Sequence, residues 1–165
     1  MPHPVMNKKG LCATCSDIPV RHHAYRERGE ELHPAARDLI RVDEHFWQCP
    51  NCGVWFHYMY WPPGPGNTGD REELARFSSR EMRLLGRLLS QPGDFPAFHE
   101  KMIEAIVADD QDTKNKLDDL YDFVKRRARY EEVRSVMATW LAHPCADVRY
   151  FAVRHLELDT GTRHD

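Results

Sequence analysis

Four cysteines with a regular spacing are the residues of this sequence best suited to chemistry. Cys12 and Cys15 form one Cys-x-x-Cys pair, and Cys49 and Cys52 form a second. Two intervening residues allow both sulfurs of a pair to turn toward one point, and two such pairs complete a tetrahedral metal site. The spacing therefore predicts a structural site in which four thiolates bind one metal ion, with zinc as the expected metal.

The residues around the second pair are typical of a metal-binding turn. Pro50 follows the first thiol of that pair, and Gly53 follows the second. Proline presets the backbone of a turn, and glycine adopts the positive φ that lets backbone N–H groups approach the sulfurs. This local sequence favours a metal knuckle between two strands.

Two other uses of the cysteines remain open. Paired Cys-x-x-Cys motifs at this separation also resemble the iron site of rubredoxins, although Ser16 stands where that family has glycine. A redox Cys-x-x-Cys motif usually opens a helix, whose N-terminus lowers the pKa of a thiol. Neither pair is followed by a clear helical pattern, so iron and redox chemistry are less favoured than structural zinc. The fifth cysteine, Cys145, is expected to be a small, half-buried side chain.

Composition limits the classes of protein to which the chain can belong. Its 165 residues suffice for one domain or two small ones, with 41% apolar and 30% charged residues and a net charge of −3. That charge gives no general attraction to nucleic acid or to an anionic membrane. There is no apolar run of the roughly 20 residues that span a bilayer and no secretion-signal pattern. Reduced thiols arranged for metal binding suit a cytoplasmic location.

The pattern of residue types predicts an α+β fold. Aromatic and β-branched residues at 39–48 and 54–61 predict two antiparallel strands joined by the knuckle. A further strand is expected near 18–25, and a helical turn near 34–39. The proline- and glycine-rich segment 62–69 is interpreted as a loop leading into a helical half. We therefore expect a small antiparallel β module over residues 1–66 and an α-helical region over 67–165.

Beyond residue 66 the apolar residues recur at helical spacing. Asp70 with Glu73, and Ser78 with Glu81, match patterns that cap the start of a helix. Four further helices are predicted at about 97–108, 112–128, 130–142 and 146–158. The residues expected on the buried faces before residue 143 are Met82, Leu85, Leu88, Leu89, Phe98, Met102, Ile103, Ile106, Leu117, Leu120, Tyr121, Val124, Ala128, Val133, Val136, Met137, Trp140 and Leu141.

Two segments resemble known families. Residues 10–61, with the sequence Cys-Pro-Asn-Cys-Gly at 49–53, resemble a zinc ribbon, which implies a bound zinc ion but no particular function. Residues 137–156 resemble a HEAT-type helical repeat. That likeness rests on Leu141, His143, Pro144, Asp147, Val148, Arg149, Ala152, Val153 and Leu156.

The HEAT-type resemblance carries structural expectations. It implies that a first helix ends at the His-Pro turn and that Asp147 caps the second helix. It also implies that Val148, Ala152, Val153 and Leu156 pack the second helix on the first. The aspartate often found in that family at the position of Cys145 is missing here. HEAT-type repeats stack and present a surface to partner proteins.

The function expected from these features is protein binding without catalysis. No His-Glu-x-x-His, Gly-x-Ser-x-Gly or phosphate-binding loop occurs, and four thiolates leave a zinc ion no open position. An immunity- or antitoxin-type protein that blocks a partner enzyme fits the small size, and the slight acidity would suit a nuclease's basic cleft. His45 and His57 flank the knuckle and could approach each other, as ordinary strand residues or as partners or alternative ligands of the metal site.

The alternative function is nucleic-acid binding by a zinc-ribbon protein. Aromatic residues of the second strand could stack on bases, and a basic cluster lies later in the chain. The same two groups are the candidate partner-binding residues of a protein-binding module. The aromatic group is Trp55, Tyr58, Tyr60 and Trp61, and the basic cluster is Lys125, Arg126, Arg127 and Arg129.

Overall fold

The computed structural model describes residues 12–65, 70–108 and 110–159, with side chains through residue 156. The fold is α+β, with an antiparallel β module followed by a helical half, as predicted. The chain divides into two compact units, Met1–Met82 and Arg83–Asp165. We call them the β unit and the helical unit.

The β unit contains a five-stranded antiparallel sheet. Its strands lie in the order β1-β5-β4-β3-β2. Their bounds are Arg21–Tyr25 (β1), Ile40–Arg41 (β2), Phe46–Gln48 (β3), Trp55–Trp61 (β4) and Arg71–Arg76 (β5). The predicted antiparallel pair around the knuckle is confirmed as β3 and β4, with Phe46 opposite His57. The single strand expected over 39–48 is wrong, since the N–H of Asp43 donates to the carbonyl of Phe46 in a turn and β2 and β3 pair with each other. The strand expected near 18–25 is β1, and the turn expected near 34–39 is the 3₁₀ turn Pro34–Asp38.

Strand β5 corrects two predictions. The segment that begins at Asp70 was expected to start a helix with Glu73, but residues 71–76 pair with β4 on one side and β1 on the other. The proline-rich segment therefore connects two strands of one sheet rather than a β module to a helical half, and residues 66–69 of it lie outside the described residues. As a result, the sheet extends beyond the expected boundary at residue 66.

One face of the sheet packs on the cysteines. Trp47, Phe56 and Leu74 come from three neighbouring strands and point to the same face, because paired residues share a face. They form one buried cluster with Cys12, Cys15, Cys49, Ile18, Ala36, Leu39 and Val54. The thiols are thus part of the core of the β unit.

The helices follow the predicted order. After the single turn α1 (Ala13–Ser16), they are α2 (Ser79–Ser90), α3 (Phe95–Val107), α4 (Gln111–Arg127), α5 (Tyr130–Thr139) and α6 (Ala146–Asp159). The predicted capping box at the start of α2 is confirmed. The N–H of Ser78 donates to Oε1 of Glu81 at 2.9 Å, and the N–H of Glu81 donates to Oγ of Ser78 at 3.1 Å. Among the described residues, no helix has the length and apolar character needed to cross a membrane.

The core of the helical unit is apolar and aromatic. Phe95 and Phe151 each lie 6.1 Å from Trp140 between ring centroids, and Phe151 also contacts Tyr121. The side chains expected to be buried there mostly are, but Leu141 is exposed, and Phe98, Ala128 and Val136 are half-buried. Leu141 lies in a 3₁₀ turn, Trp140–Ala142, whose single turn buries Trp140 and leaves its neighbour outside.

The turn before α6 shows how the His-Pro pattern works locally. The guanidinium of Arg149 donates to the carbonyls of His143 and Pro144 at 2.7 and 2.8 Å, and so holds the turn against the helix. Asp147 lies in the first turn of α6 rather than at the cap, where its charge still favours the helix dipole. Val148 and Ala152 are buried as expected, and Leu156 is half-buried. The expectation for Val153 is wrong, since it is 40% exposed on the outer face.

Candidate metal centre

The two cysteine pairs come from different local structures. Cys12 immediately precedes α1 and Cys15 lies within it. Because the two residues are three positions apart on one helical turn, their thiols lie on the same face. The N–H of Ser16 donates to the carbonyl of Cys12 at 3.0 Å. The second pair lies in the turn between β3 and β4, which the N–H of Gly53 closes by donating to the carbonyl of Cys49 at 2.9 Å. Gly53 has φ of 76°, the positive value predicted for it.

The four sulfurs converge on one point. The Sγ atom of Cys12 lies 3.5 Å from the Sγ of Cys15 and 3.4 Å from the Sγ of Cys49. The Sγ atom of Cys15 lies 3.4 Å from the Sγ of Cys52. All four lie within 4.8 Å of one another. A disulfide would need about 2.05 Å, whereas a tetrahedron with metal–sulfur bonds of about 2.3 Å has edges of roughly 3.8 Å. The arrangement therefore matches four ligands around one ion, and the predicted cysteines are the ones brought together.

The electrostatics of the cluster also fit a cation. Burial raises the pKa of the Cys15 and Cys49 thiols, because desolvation disfavours a thiolate and neighbouring sulfurs compete for protons. Burial opposes ionisation of Cys12 too, but the backbone N–H of Cys15 and the neighbouring thiols lower its pKa to about 6. Without a cation, therefore, the thiols do not all ionise together at neutral pH. A divalent ion supplies the charge that stabilises all four thiolates.

Several side chains that sequence reasoning did not identify hold the two pairs in place. The Nδ2 of Asn51 donates to Oγ1 of Thr14 at 2.7 Å and so connects the two cysteine pairs. The Nε2 of Gln48 donates to the carbonyl of Gly53 at 3.1 Å. Asn51 and Gln48 both carry a side-chain amide and stand next to a cysteine, which is the weak signal that the sequence offered.

Arg76 of β5 is the most distant of these supporting residues. Its guanidinium donates to the carbonyl of Cys15 at 3.4 Å and to that of Ile18. This ties the first cysteine pair to the sheet, 61 residues away in the chain. No local pattern could have identified it, because the contact depends on β5 forming.

The four cysteines are suited to a structural metal site. Cys12, Cys15 and Cys49 are at most 2% exposed, and Cys52 is half-buried. Four sulfur ligands complete the coordination of zinc or of a single iron ion, so such a site has no position for a substrate. The donor set, its spacing and its burial therefore fit a metal that stabilises the fold.

The aromatic residues predicted to face a partner differ in exposure. Trp55 is 2% exposed, so its assignment to a partner surface is wrong; strand β4 is covered on both faces at that end. Tyr58 is half-buried, stacks on Trp47 and donates from its hydroxyl to Glu72 at 2.7 Å. Burial and that contact raise the pKa of Tyr58. Tyr60 is 42% exposed.

Trp61 at the end of β4 is half-buried under the guanidinium of Arg71, which lies 4.1 Å from its ring centroid. The other predicted group, the basic cluster, lies at the C-terminal end of α4. Arg126, Arg127 and Arg129 are exposed, and Lys125 is half-buried. This placement suits the helix dipole as well as a partner.

The histidines beside the knuckle do approach each other, as the sequence suggested. The rings of His45 and His57 lie 6.3 Å apart between centroids. Nδ1 of His45 contacts the carbonyl of Tyr58 at 3.0 Å, and His57 packs on Phe46. Neither is part of the cysteine cluster.

The fifth cysteine, Cys145, is half-buried, as predicted.

Comparison of the chain with protein-family models, curated proteins and solved structures finds no match.

Proposed function

We propose that this protein is a non-catalytic, zinc-stabilised module that binds another protein. The observation that carries the proposal is the convergence of four cysteine sulfurs within 4.8 Å. Four thiolates fill the coordination sphere of a zinc ion and leave no open position for a substrate or water. In this proposal the N-terminal module is a zinc ribbon whose metal maintains a fold, and the work of the protein is recognition.

The helical unit offers support for a partner surface. Tyr150 and Val153 lie three residues apart on α6, so they share one face of that helix. They are 67% and 40% exposed, and Leu141 in the preceding turn is 45% exposed. Apolar side chains grouped on one exposed face are typical of interaction sites. The resemblance of this segment to a HEAT-type repeat points the same way, since such helices present surfaces to partners.

A finer proposal is that the partner is an enzyme that this protein inhibits, as an immunity or antitoxin protein does. The net charge of −3 suits a partner with a basic cleft, such as a nuclease. The expected result is one stoichiometric partner whose activity falls when the complex forms. A captured enzyme that remains fully active in the complex would refute this finer proposal.

The test is capture of partners by the tagged, metal-loaded chain from its native lysate, with and without nuclease, read by mass spectrometry. We expect one partner that survives nuclease treatment and whose recovery falls with Tyr150→Ala. Tyr60→Ala is the matched control, because it removes an exposed tyrosine from the β unit. Loss with Tyr60→Ala alone would move the interface to β4. Recovery of nucleic acid alone, abolished by nuclease, would replace this proposal with nucleic-acid binding.

The metal assignment has its own test. Native mass spectrometry and metal analysis of the purified chain should give one zinc ion per chain. Recovery of iron with a visible absorption band would support a rubredoxin-like site instead. Reduced thiols that bind no metal would refute the proposal.

A further inference from the structure

A groove of about 470 Å³ lies in the β unit, beside the cysteine core. The groove is lined by residues of the 3₁₀ turns Arg26–Arg28 and Pro34–Asp38 and of strands β2, β3 and β5. Its volume lies within the range of small-ligand pockets. The charged residues of its lining are Arg26, Arg37, Arg41, Glu30, Glu31 and Glu72.

The carboxylates of the groove already have hydrogen-bond donors. Glu72 accepts from the guanidinium of Arg26 at 2.8 Å and from the hydroxyl of Tyr58 at 2.7 Å. Glu31 accepts a hydrogen bond from the guanidinium of Arg37 at 3.4 Å, and Glu30 accepts one from the backbone N–H of Tyr25 at 2.9 Å. Two of the three arginines of the groove are thus engaged by carboxylates of the same chain.

Arg41 is the remaining arginine. Its guanidinium lies over the ring of Trp47 at 4.5 Å, and Trp47 in turn stacks on Tyr58 with centroids 4.5 Å apart and planes at 13°. Trp47 is only 3% exposed, so the stack is anchored in the core. Within residues 12–65, 70–108 and 110–159, Arg41 has no carboxylate or carbonyl partner, and it lines the groove as an exposed residue.

We propose that this groove binds a carboxylate of a ligand, with the guanidinium of Arg41 as the principal contact. A planar guanidinium donates two parallel N–H bonds to a carboxylate, and stacking on Trp47 reduces the conformational entropy lost on binding. The three glutamates balance the three arginines of the lining. Because Arg26 and Arg37 already contact Glu72 and Glu31, the single charge of Arg41 is left to pair with a ligand, which favours a singly charged carboxylate over a doubly charged phosphate.

The carboxylate can come from two sources, an acidic side chain of a partner protein or a free small acid. The first would deepen the proposed protein-binding function, and that version rests on it. The groove and α6 are tested separately, because carboxylate binding is measured on the purified chain and partner capture in lysate. Failure of one therefore leaves the other measurable.

The test is an NMR titration of the metal-loaded, ¹⁵N-labelled full chain, following the Nε–H signals of Arg41 and Trp47. The probes are butyrate, the capped tripeptide acetyl-Ala-Glu-Ala-amide and inorganic phosphate, each to roughly 50 mM, which detects millimolar affinity. We expect saturable shifts of both signals with a carboxylate probe. Tighter binding of the tripeptide than of butyrate identifies a protein side chain as the source, and the reverse order identifies a small acid.

The variant is Arg41→Gln, and the matched control is Arg28→Gln. Arg28 also stacks on an aromatic ring, at 4.5 Å from the centroid of Tyr25, but is not part of the groove lining. Arg41→Gln should weaken carboxylate binding by roughly tenfold or more, since a charged hydrogen-bonding group is lost, and Arg28→Gln should leave it unchanged. Equal weakening by both variants, no saturable shift with either carboxylate probe, or tighter binding of phosphate would each overturn the proposal.

Discussion

The two units of this chain have interiors of different chemistry. In the β unit, three of the ten buried members of the core cluster are cysteines: Cys12, Cys15 and Cys49. In the helical unit, large side chains such as Phe95, Leu120 and Trp140 are at most 1% exposed. The four cysteines could therefore hold a metal ion in the interior of one unit, whereas apolar burial stabilises the interior of the other.

The difference teaches where the stability of each unit originates. Short strands such as β2, with two residues, and β3, with three, bury little apolar area of their own. A bound metal ion would add its binding free energy to the folding of such a unit. The helices of the other unit are 10 to 17 residues long after α2 and carry continuous buried faces. Perturbations should therefore act on the two units separately.

The largest expected effect is that of removing the metal. Chelation or Cys49→Ser should unfold the β unit, because metal binding of about 10 kcal/mol contributes directly to folding. The helical unit should keep its structure. The four tryptophans report this, since Trp47, Trp55 and Trp61 lie in the β unit and Trp140 in the helical unit. Three indole N–H signals should lose their native shifts while that of Trp140 remains.

Cys145→Ser is the matched control for this experiment. It replaces a half-buried thiol outside the metal cluster and should leave both metal content and all four indole signals unchanged. An unchanged melting curve after chelation, with the metal shown to be gone, would contradict the claim that the β unit depends on a metal for its stability. Loss of the Trp140 signal together with the other three would show that the helical unit does not fold independently.

The reverse experiment perturbs the helical unit alone. Trp140→Ala removes a side chain that is 1% exposed and whose Nε1–H donates to Nδ1 of His99 at 3.1 Å. The resulting cavity should cost about 3–5 kcal/mol of the free energy of unfolding. Denaturant unfolding followed by helical circular dichroism measures this loss, while the metal content should stay at one ion per chain. A fall in metal content would show that the two interiors are coupled.

A smaller effect is expected at the residue that ties the first cysteine pair to the sheet. Arg76→Met removes the contacts to the carbonyls of Cys15 and Ile18, and a residue that orients ligands in this way typically changes metal affinity roughly 10–100-fold. Arg71→Met is the control, since Arg71 is on the same strand but stacks on Trp61. Competition with a chromophoric chelator measures both affinities. Equal losses in the two variants would assign the effect to the strand rather than to the contact.

These contacts also show how far the sequence could predict the molecule. The knuckle around Cys49 and the capping box at Ser78 were predictable because each depends on residues within a few positions. Helix positions in the second unit followed from apolar spacing in the same way. Sequence patterns are therefore sufficient for features whose stabilising contacts join residues that are close together in the chain.

Strand β5 was not predictable on that basis. Its sequence, Arg-Glu-Glu-Leu-Ala-Arg, consists of residues that favour helices. Pairing on both sides overrides that preference, and the buried Glu73 is compensated by Arg21 at 3.2 Å and His23 at 3.3 Å. The burial of Trp55 and the role of Arg76 depend on the same long-range pairing, so all three were missed together.

The smallest predicted effect concerns an ion pair in the helical unit. Asp118 contacts Nε2 of His155 at 2.9 Å and the guanidinium of Arg154, and these partners lower the pKa of Asp118 from its ordinary 3.8. A carboxyl whose pKa is lower in the folded state stabilises the protein above its unfolded-state pKa. That contribution is lost as the pH falls through the folded-state pKa, so the loss should occur below about pH 4.

Asp118→Asn should therefore remove a contribution of about 1 kcal/mol or less at neutral pH, because the carboxylate is 43% exposed and solvent screens the pair. It should also flatten the acid limb of the stability curve. The signal of Trp140 must be the reporter, since acid also displaces the metal from the thiolates of the β unit. Asp147→Asn is the control, because Asp147 is more exposed and lies 4.0 Å from its cation, Lys114. If the variant and the parent lost stability in parallel between pH 5 and about pH 3, the pairing of Asp118 with His155 and Arg154 would not contribute to the stability of the helical unit.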